Sequence, residues 1–266
     1  MYGDDRCGSV IARLQVCIRN RARYDAILKP LSKAVVSFYM NNIPADVVRC
    51  QRAVLDRFVP PDFAISQELT SERHATAIDQ FVARTGYDLV VILDIDCIPL
   101  TEWSIPSLAM HAACGELAGC VQRANHIANQ GHLYVGAFCM AVTRRMWEEL
   151  GRPSFQPTAR GDVGEELTYR CEALQRPIHL MWPSSMENAL WNLTENRAFG
   201  LNTEYDGAFL HTFRIRDPAN QSKFVERCRR ILSTGAEPIE PRALRVENLI
   251  APATVRNSCR LCEKSC

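Results

Sequence analysis

Between residues 34 and 93 the chain alternates short apolar runs with helical patterns, and this alternation restricts the available folds more than any other feature. Ala34–Tyr39 (AVVSFY), Phe63–Ser66 and Leu89–Leu93 (LVVIL) are short and largely apolar, the first and last with runs of β-branched residues, which predicts strands, buried in the first and last cases. Between them, Ala45–Phe58 sets Val47, Val48, Val54, Leu55 and Phe58 in a helical pattern. Glu72–Thr85 does the same with Ala75, Ile78, Phe81 and Val82, and Gly86 ends it. Strands joined by helices of this length predict βαβ units and a largely parallel sheet. Such a sheet takes ligands at the carboxyl ends of its strands. The residues just after Leu93 therefore carry the most weight.

Those residues are Asp94-Ile95-Asp96. In an extended segment, side chains two apart point the same way. Two carboxylates on one side, at the end of a buried strand, offer a compact oxygen site for Mg²⁺ or Mn²⁺. The plainer alternative is that one aspartate caps the following turn and the other is solvated. Two close carboxylates without a partner repel each other, which favours the metal reading.

The stretch YDLVVILDIDCIPL resembles the segment of GT-A glycosyltransferases in which a strand runs into a metal-binding Asp-x-Asp pair. Further segments follow in that family's order. ERHATAIDQ (72–80) is similar to the helix before the strand, and YVGAFCMAVTRRMWEELG (134–151) to a small-residue strand followed by Arg and a helix ending in Gly. GDVGEELTYRCEA (161–173) is similar to the acidic loop and helix, and LHTFR (210–214) to a late segment that supplies a His to the metal. The resemblance spans about residues 34–216. It departs in the acidic loop, where Asp162 and then Glu165-Glu166 stand in place of adjacent acids.

The resemblance implies an α/β, GT-A-like, Rossmann-type fold with a mixed, mostly parallel sheet flanked by helices. It implies a metal-dependent hexosyl-type transfer, with inversion, from a nucleotide-sugar donor, UDP-sugar first among them, to an acceptor hydroxyl. Asp96 and His211 would ligate Mn²⁺ or Mg²⁺ directly, and Asp94 directly or through water. Arg73 or His74 would face the diphosphate. Ser37, Phe38 and Tyr39, with Ser66 and Gln67, would hold base and ribose. Asp162, Glu165 or Glu166 would take the acceptor's proton, with Asp162 preferred narrowly over Glu165. Acids in a first helical turn are also favoured by the macrodipole alone, so at most one of the three need be the base. The acceptor is left as a glycan, a small molecule or a nucleic acid.

Three observations oppose a haloacid-dehalogenase-type phosphatase, the nearest enzymatic rival. Ile98 stands four residues after Asp94, SFQPTAR does not read as a strand, and no Lys occurs between Lys33 and Lys223. A nucleic-acid or zinc-binding module is the other rival. The terminal Cys259, Cys262 and Cys266, with Cys7 as a fourth ligand, could bind zinc, and the N-terminal segment is rich in Arg. Formal net charge is only +1, and no window of 18 apolar residues occurs, so no membrane span is expected. The N-terminal segment does not read as a secretory signal, and cysteines such as Cys97, Cys114, Cys120 and Cys139 lie in apolar runs. Both point to a cytoplasmic protein with buried thiols. The chain divides into a basic helical extension (1–30), a catalytic domain (31–235) and a Pro/Arg-rich tail (236–266).

Overall fold

The computed structural model describes residues 22–127, 129 and 131–234. A helical stretch at residues 22–27 (α1) leads into β1 (Lys33–Tyr39), α2 (Ala45–Phe58), β2 (Phe63–Leu69), α3 (His74–Arg84) and β3 (Leu89–Asp94). Then come β4 (Cys97–Pro99), α4 (Ser104–Ala113), β5 (Leu117–Arg123), β6 (Leu133–Thr143), α5 (Arg144–Glu149) and α6 (Glu165–Ala173). The last part holds β7 (Ile178–Met181), β8 (Pro183–Ser185), β9 (Asn188–Thr194), β10 (Arg197–Leu201), β11 (Thr203–Tyr205), β12 (Phe209–His211) and α7 (Pro218–Thr234).

The main sheet runs β2-β1-β3-β6-β5-β7. β2, β1 and β3 are parallel, β6 is antiparallel to both of its neighbours, and β7 is parallel to β5. The sheet is thus mixed and mostly parallel, with helices on both faces, as the sequence predicts. Leu89–Leu93 is buried throughout because β3 lies between β1 and β6 with both faces covered. On one face Val36, Ile92, Val135 and Val142 pack under Ile78 and Phe81 of α3, Met146 and Trp147 of α5, and Leu167 of α6. On the other face Val35, Val91, Leu93 and Ala118 meet Ile105 and Leu108 of α4 and Phe209 of β12. β4, β12, β11 and β8 form a second, antiparallel sheet, and β9 and β10 a hairpin.

β2 extends three residues beyond the predicted Ser66, because the parallel ladder with β1 continues from Lys33↔Phe63 to Tyr39↔Leu69. α3 begins at His74, two residues later than predicted, and ends at Arg84. Residues 22–30 of the predicted N-terminal extension join the core: Tyr24 and Leu28 are buried, and the Tyr24 hydroxyl donates to Asp62. Residues 1–21, including Cys7, and the tail with Cys259, Cys262 and Cys266 lie outside the described residues. Cys97, Cys120 and Cys139 are buried, whereas Cys114 is only partly covered. Among the described residues no helix is long and apolar enough to cross a membrane.

One buried polar side chain ties these layers to the turn after β3. Gln51 sits on the apolar stripe of α2, among Val47, Val54 and Leu55. Its Nε2 donates to the carbonyls of Asp94 (2.7 Å) and Cys97 (2.9 Å), and its Oε1 accepts from Gln67 Nε2 (2.8 Å). Gln67 also donates to the Val48 carbonyl, so its amide is spent inside the fold and not on a ribose as predicted. Replacing Gln51 by Leu leaves two buried carbonyls without donors, at roughly 1–3 kcal/mol each. Gln51→Leu is expected to lower unfolding free energy by about 2–6 kcal/mol in urea denaturation. A loss under about 0.5 kcal/mol, the size of a surface substitution, would show that the glutamine does not hold the turn.

Candidate active site

Asp94 is the last residue of β3, and Ile95-Asp96 form the tight turn into β4. The two carboxylates therefore converge around a turn and not along a straight strand, as alternation alone predicts. β4 pairs antiparallel with β12 in the register Cys97↔His211, Ile98↔Leu210 and Pro99↔Phe209. The Thr212 N–H donates to the Asp96 carbonyl (3.1 Å) and extends this ladder by one step. The register sets His211 beside Asp96 although 115 residues separate them: His211 Nε2 lies 3.2 Å from Asp96 Oδ1 and 3.8 Å from Asp94 Oδ2. The His211 ring stacks on Phe138 of β6 (centroids 4.3 Å, 16°) and meets Phe213 at 3.7 Å, which fixes its plane.

His74, the first residue of α3, approaches Asp94 from the other side, with Nε2 3.0 Å from Oδ1. Burial disfavours the Asp94 charge, but His74 and then His211 outweigh it and hold the carboxyl below its ordinary value. Burial likewise opposes a charge on His74, and Asp94 overcomes it, so the imidazole sits above its ordinary value. Asp94, Asp96 and His211 each offer a ligand atom, all within 4.8 Å of one another. Two carboxylates at that separation repel by roughly 3–4 kcal/mol at an effective dielectric near 20. That is a large share of a domain's total stability. His211 Nε2 is the nitrogen that faces both carboxylates. Two carboxylates and an imidazole nitrogen converging on one point fit a divalent cation such as Mn²⁺ or Mg²⁺.

The three residues open onto a cleft of about 1060 Å³. Phe38 and Tyr39 line it from the end of β1, Arg73 and His74 from the start of α3, and Asp162 from the loop before α6. Of the predicted base and ribose residues, Ser37 does not reach the cleft: it lies within β1, fully buried between β2 and β3, and only the last two residues of the strand, Phe38 and Tyr39, line the opening. The Ser66 hydroxyl bonds to Glu68 on its own strand. α3 opens on the cleft without a side-chain cap, which leaves its first N–H groups available to an anionic ligand.

The three candidate carboxylates separate by environment. Asp162 Oδ1 accepts from the Val163 N–H (2.8 Å) and Oδ2 from the Tyr134 hydroxyl (3.2 Å), and the carboxylate faces the cleft. Burial, and then the Asp162 charge, push the Tyr134 phenol up, so it remains a donor. His126, an exposed side chain, has its Nε2 3.9 Å from Asp162 Oδ1. Glu165 is fully buried and saturated: it accepts from His132 Nδ1 (2.7 Å), Asn129 Nδ2 (2.7 Å) and the Asp162 N–H (2.7 Å). Glu166 is clamped by Arg160 and Arg170. Neither glutamate lines the cleft, which corrects the expectation that either could meet an acceptor there. Gly164, at φ +77°, makes the turn that returns the chain into α6, and a Cβ there would meet Ala137 Cβ at 3.1 Å.

Two features of the site escape the motif reading. Gln51 supports the acidic turn from below; its sequence signal is a lone polar residue on an apolar helical stripe. Phe213 and Arg214 are consecutive residues in the left-handed region (φ 54° and 53°), at about 1–2 kcal/mol each. They fold Phe213 back onto His211 and turn Arg214 toward the cleft. Neither residue type signals that conformation in the sequence.

Comparison of the sequence with protein families and with curated proteins yields no match. Among solved structures, the chain is similar to a mannosyltransferase from Pyrobaculum calidifontis in complex with GDP-mannose and Mn²⁺, at 15% identity and a TM-score of 0.41. That match covers 56% of this chain and 54% of the other. It is also similar to the glycosyltransferase GlyE of Streptococcus pneumoniae (11% identity, TM-score 0.36, 56% of this chain and 44% of that one). A third similar structure is 2-C-methyl-D-erythritol 4-phosphate cytidylyltransferase from Thermus thermophilus (11% identity, TM-score 0.38, 75% and 98% covered). The chain thus spans about half the length of the two glycosyltransferases it matches.

The link between His132 and Glu165 gives the Asp162 loop a pH dependence. Burial opposes the charge on both, yet each is stabilised by its partners: His132 is raised above 6.5 and Glu165 lowered below 4.5. The histidine's contribution is full below pH 6.5 and is lost as pH rises through its raised value. The glutamate's contribution is full above pH 4.5 and is lost as pH falls through its depressed value. The stability difference between the wild type and His132→Gln is therefore expected to peak between about pH 4.5 and 6.5 and to shrink on either side. A difference that is flat from pH 4 to 8 in urea denaturation would contradict the pairing.

Proposed function

We propose that this chain is a metal-dependent glycosyltransferase that moves a sugar from a nucleoside-diphosphate sugar, UDP-sugar first among them, to an acceptor hydroxyl with inversion. The observation that carries the reading is the convergence of Asp94, Asp96 and His211 on one wall of a large cleft that Asp162 also lines. Asp96 and His211 would hold Mn²⁺ or Mg²⁺ directly, with Asp94 direct or through water. A cation there supplies positive charge against the departing nucleoside diphosphate. Arg73, His74 and the uncapped start of α3 face the same space and suit the diphosphate oxygens. Phe38 and Tyr39 suit the base and ribose, and their position at the end of β1 follows the general rule for open α/β sheets.

Asp162 is the base in this reading. Its carboxylate removes the proton of the acceptor hydroxyl as that oxygen attacks the anomeric carbon. The Tyr134 hydroxyl and the Val163 N–H fix its orientation, and Glu165, through the Asp162 N–H, fixes the loop that carries it. A single displacement of this kind inverts the anomeric centre. The acceptor, a glycan, a small molecule or a nucleic acid, approaches from the Asp162 side.

The test is release of free nucleotide from a panel of nucleotide-sugars, with and without Mn²⁺. Mn²⁺-dependent release from one donor is expected in the wild type and not in Asp96→Asn. Asp162→Asn is expected to slow transfer roughly 10²–10⁴-fold while leaving Mn²⁺-dependent nucleotide binding intact. Retention, read from the anomeric proton of the product by NMR, would overturn the base assignment. Cleavage of phosphomonoesters without nucleotide binding would replace the whole reading by the phosphatase.

A further inference from the structure

A second constellation of metal-ligating side chains lies outside the cleft. His111 stands in the last turn of α4, Glu116 just before β5, and His179 on the edge strand β7. The parallel pairing of β5 and β7 brings them together, with Ala118 opposite His179. β5 and β7 run in the same direction as β3, so Glu116 and His179 sit toward the amino ends of their strands. They are therefore at the opposite end of the sheet from the Asp94–Asp96 turn. Each of the three offers one ligand atom, and all three atoms lie within 4.8 Å of one another.

We propose that His111, Glu116 and His179 form a second metal site, for Zn²⁺ or a similar borderline transition cation. Two imidazoles and one carboxylate are a zinc ligand set, distinct from the oxygen-rich set in the cleft. His111 Nδ1 and Glu116 Oε2 are already 2.8 Å apart, sharing a proton. Ligands of a tetrahedral zinc at 2.0–2.1 Å stand about 3.3 Å from each other, so replacing that proton by the ion needs little movement. A neutral His111 carries its single N–H on Nε2 once Nδ1 binds the ion, and a protonated one releases the Nδ1 proton to solvent. His179 lies face to face with His111, ring centroids 3.5 Å apart at 10°, and a turn about its side-chain bonds would present one ring nitrogen as the site's third ligand atom. His111 and Glu116 also line a cavity of about 320 Å³ beside Trp103 and Met110, with room for a water as fourth ligand. The ion would join α4, the start of β5 and the edge strand β7. Its role is to fasten that edge, since it lies away from the cleft.

The experiment loads the full chain with Zn²⁺, dialyses away excess, and compares bound metal per chain and the zinc-dependent rise in Tm among variants. Wild type and Asp96→Asn are expected to keep this equivalent. His179→Ala and Glu116→Gln, which preserves shape, are each expected to lose one equivalent of Zn²⁺ and the associated rise in Tm. Co²⁺ as a probe is expected to give tetrahedral nitrogen/oxygen d–d bands that vanish in both variants. Comparing variants with wild type subtracts any zinc held by cysteines elsewhere. Equal zinc content and equal Tm shifts in wild type, His179→Ala and Glu116→Gln would overturn the proposal. Circular dichroism at matched temperature identifies a variant that has lost its fold, in which case the Glu116→Gln result decides.

Discussion

Three residue pairs between β4 and β12 hold the cleft together. They fix the distance between an acidic turn at the end of β3 and a histidine more than a hundred residues later. Side chains alternate along a strand, so a slip of one residue would turn His211 away from Asp96. The Asp96 carbonyl, bonded to the Thr212 N–H, locks that register at its open end. Gln51 holds the same turn from the α2 side through the Asp94 and Cys97 carbonyls. The turn is thus clamped by backbone and amide bonds on both sides, while its carboxylates are left to the cleft.

That arrangement concentrates negative charge in a partly buried place and distributes the compensation. His74 and His211 flank Asp94, and His211 also contacts Asp96. Two histidines answer two carboxylates only when both are protonated, whereas one divalent cation answers them directly. The acidic loop follows a different rule. Glu165 and Glu166 spend their charge on His132, Arg160 and Arg170, and so build the scaffold that presents Asp162. The strain at Phe213 and Arg214 belongs to the same design, because it returns an aromatic ring to the back of His211.

Much of the main sheet could be read from the sequence. LVVIL is apolar on both faces because its strand is buried on both faces, and Ala45–Phe58 matches α2 in both of its boundaries. The polar second half of β2 could not, since its pairing depends on β1 and not on its own residues. Asp94 and Asp96 were legible from their place after a buried strand. His211 was legible only through the order of the segments around it, because strand register is a long-range property. Glu165 and Glu166 misled for a physical reason: an acid in a first helical turn looks the same in sequence whether it faces a cleft or a buried histidine. Ser37 misled because it lies inside the sheet, flanked by β2 and β3, and only the last residues of β1 reach the cleft. Gln51 was legible in principle, as a polar residue where the helix needs an apolar one.

The central claim is that Asp94, Asp96 and His211 bind a divalent cation together with a nucleoside diphosphate. Electron paramagnetic resonance of Mn²⁺ titrated into the protein, with and without UDP, tests it directly. The account predicts that UDP increases Mn²⁺ uptake in the wild type and has no such effect in His211→Ala. Uptake that is unchanged by UDP, or the same in both proteins, would contradict it.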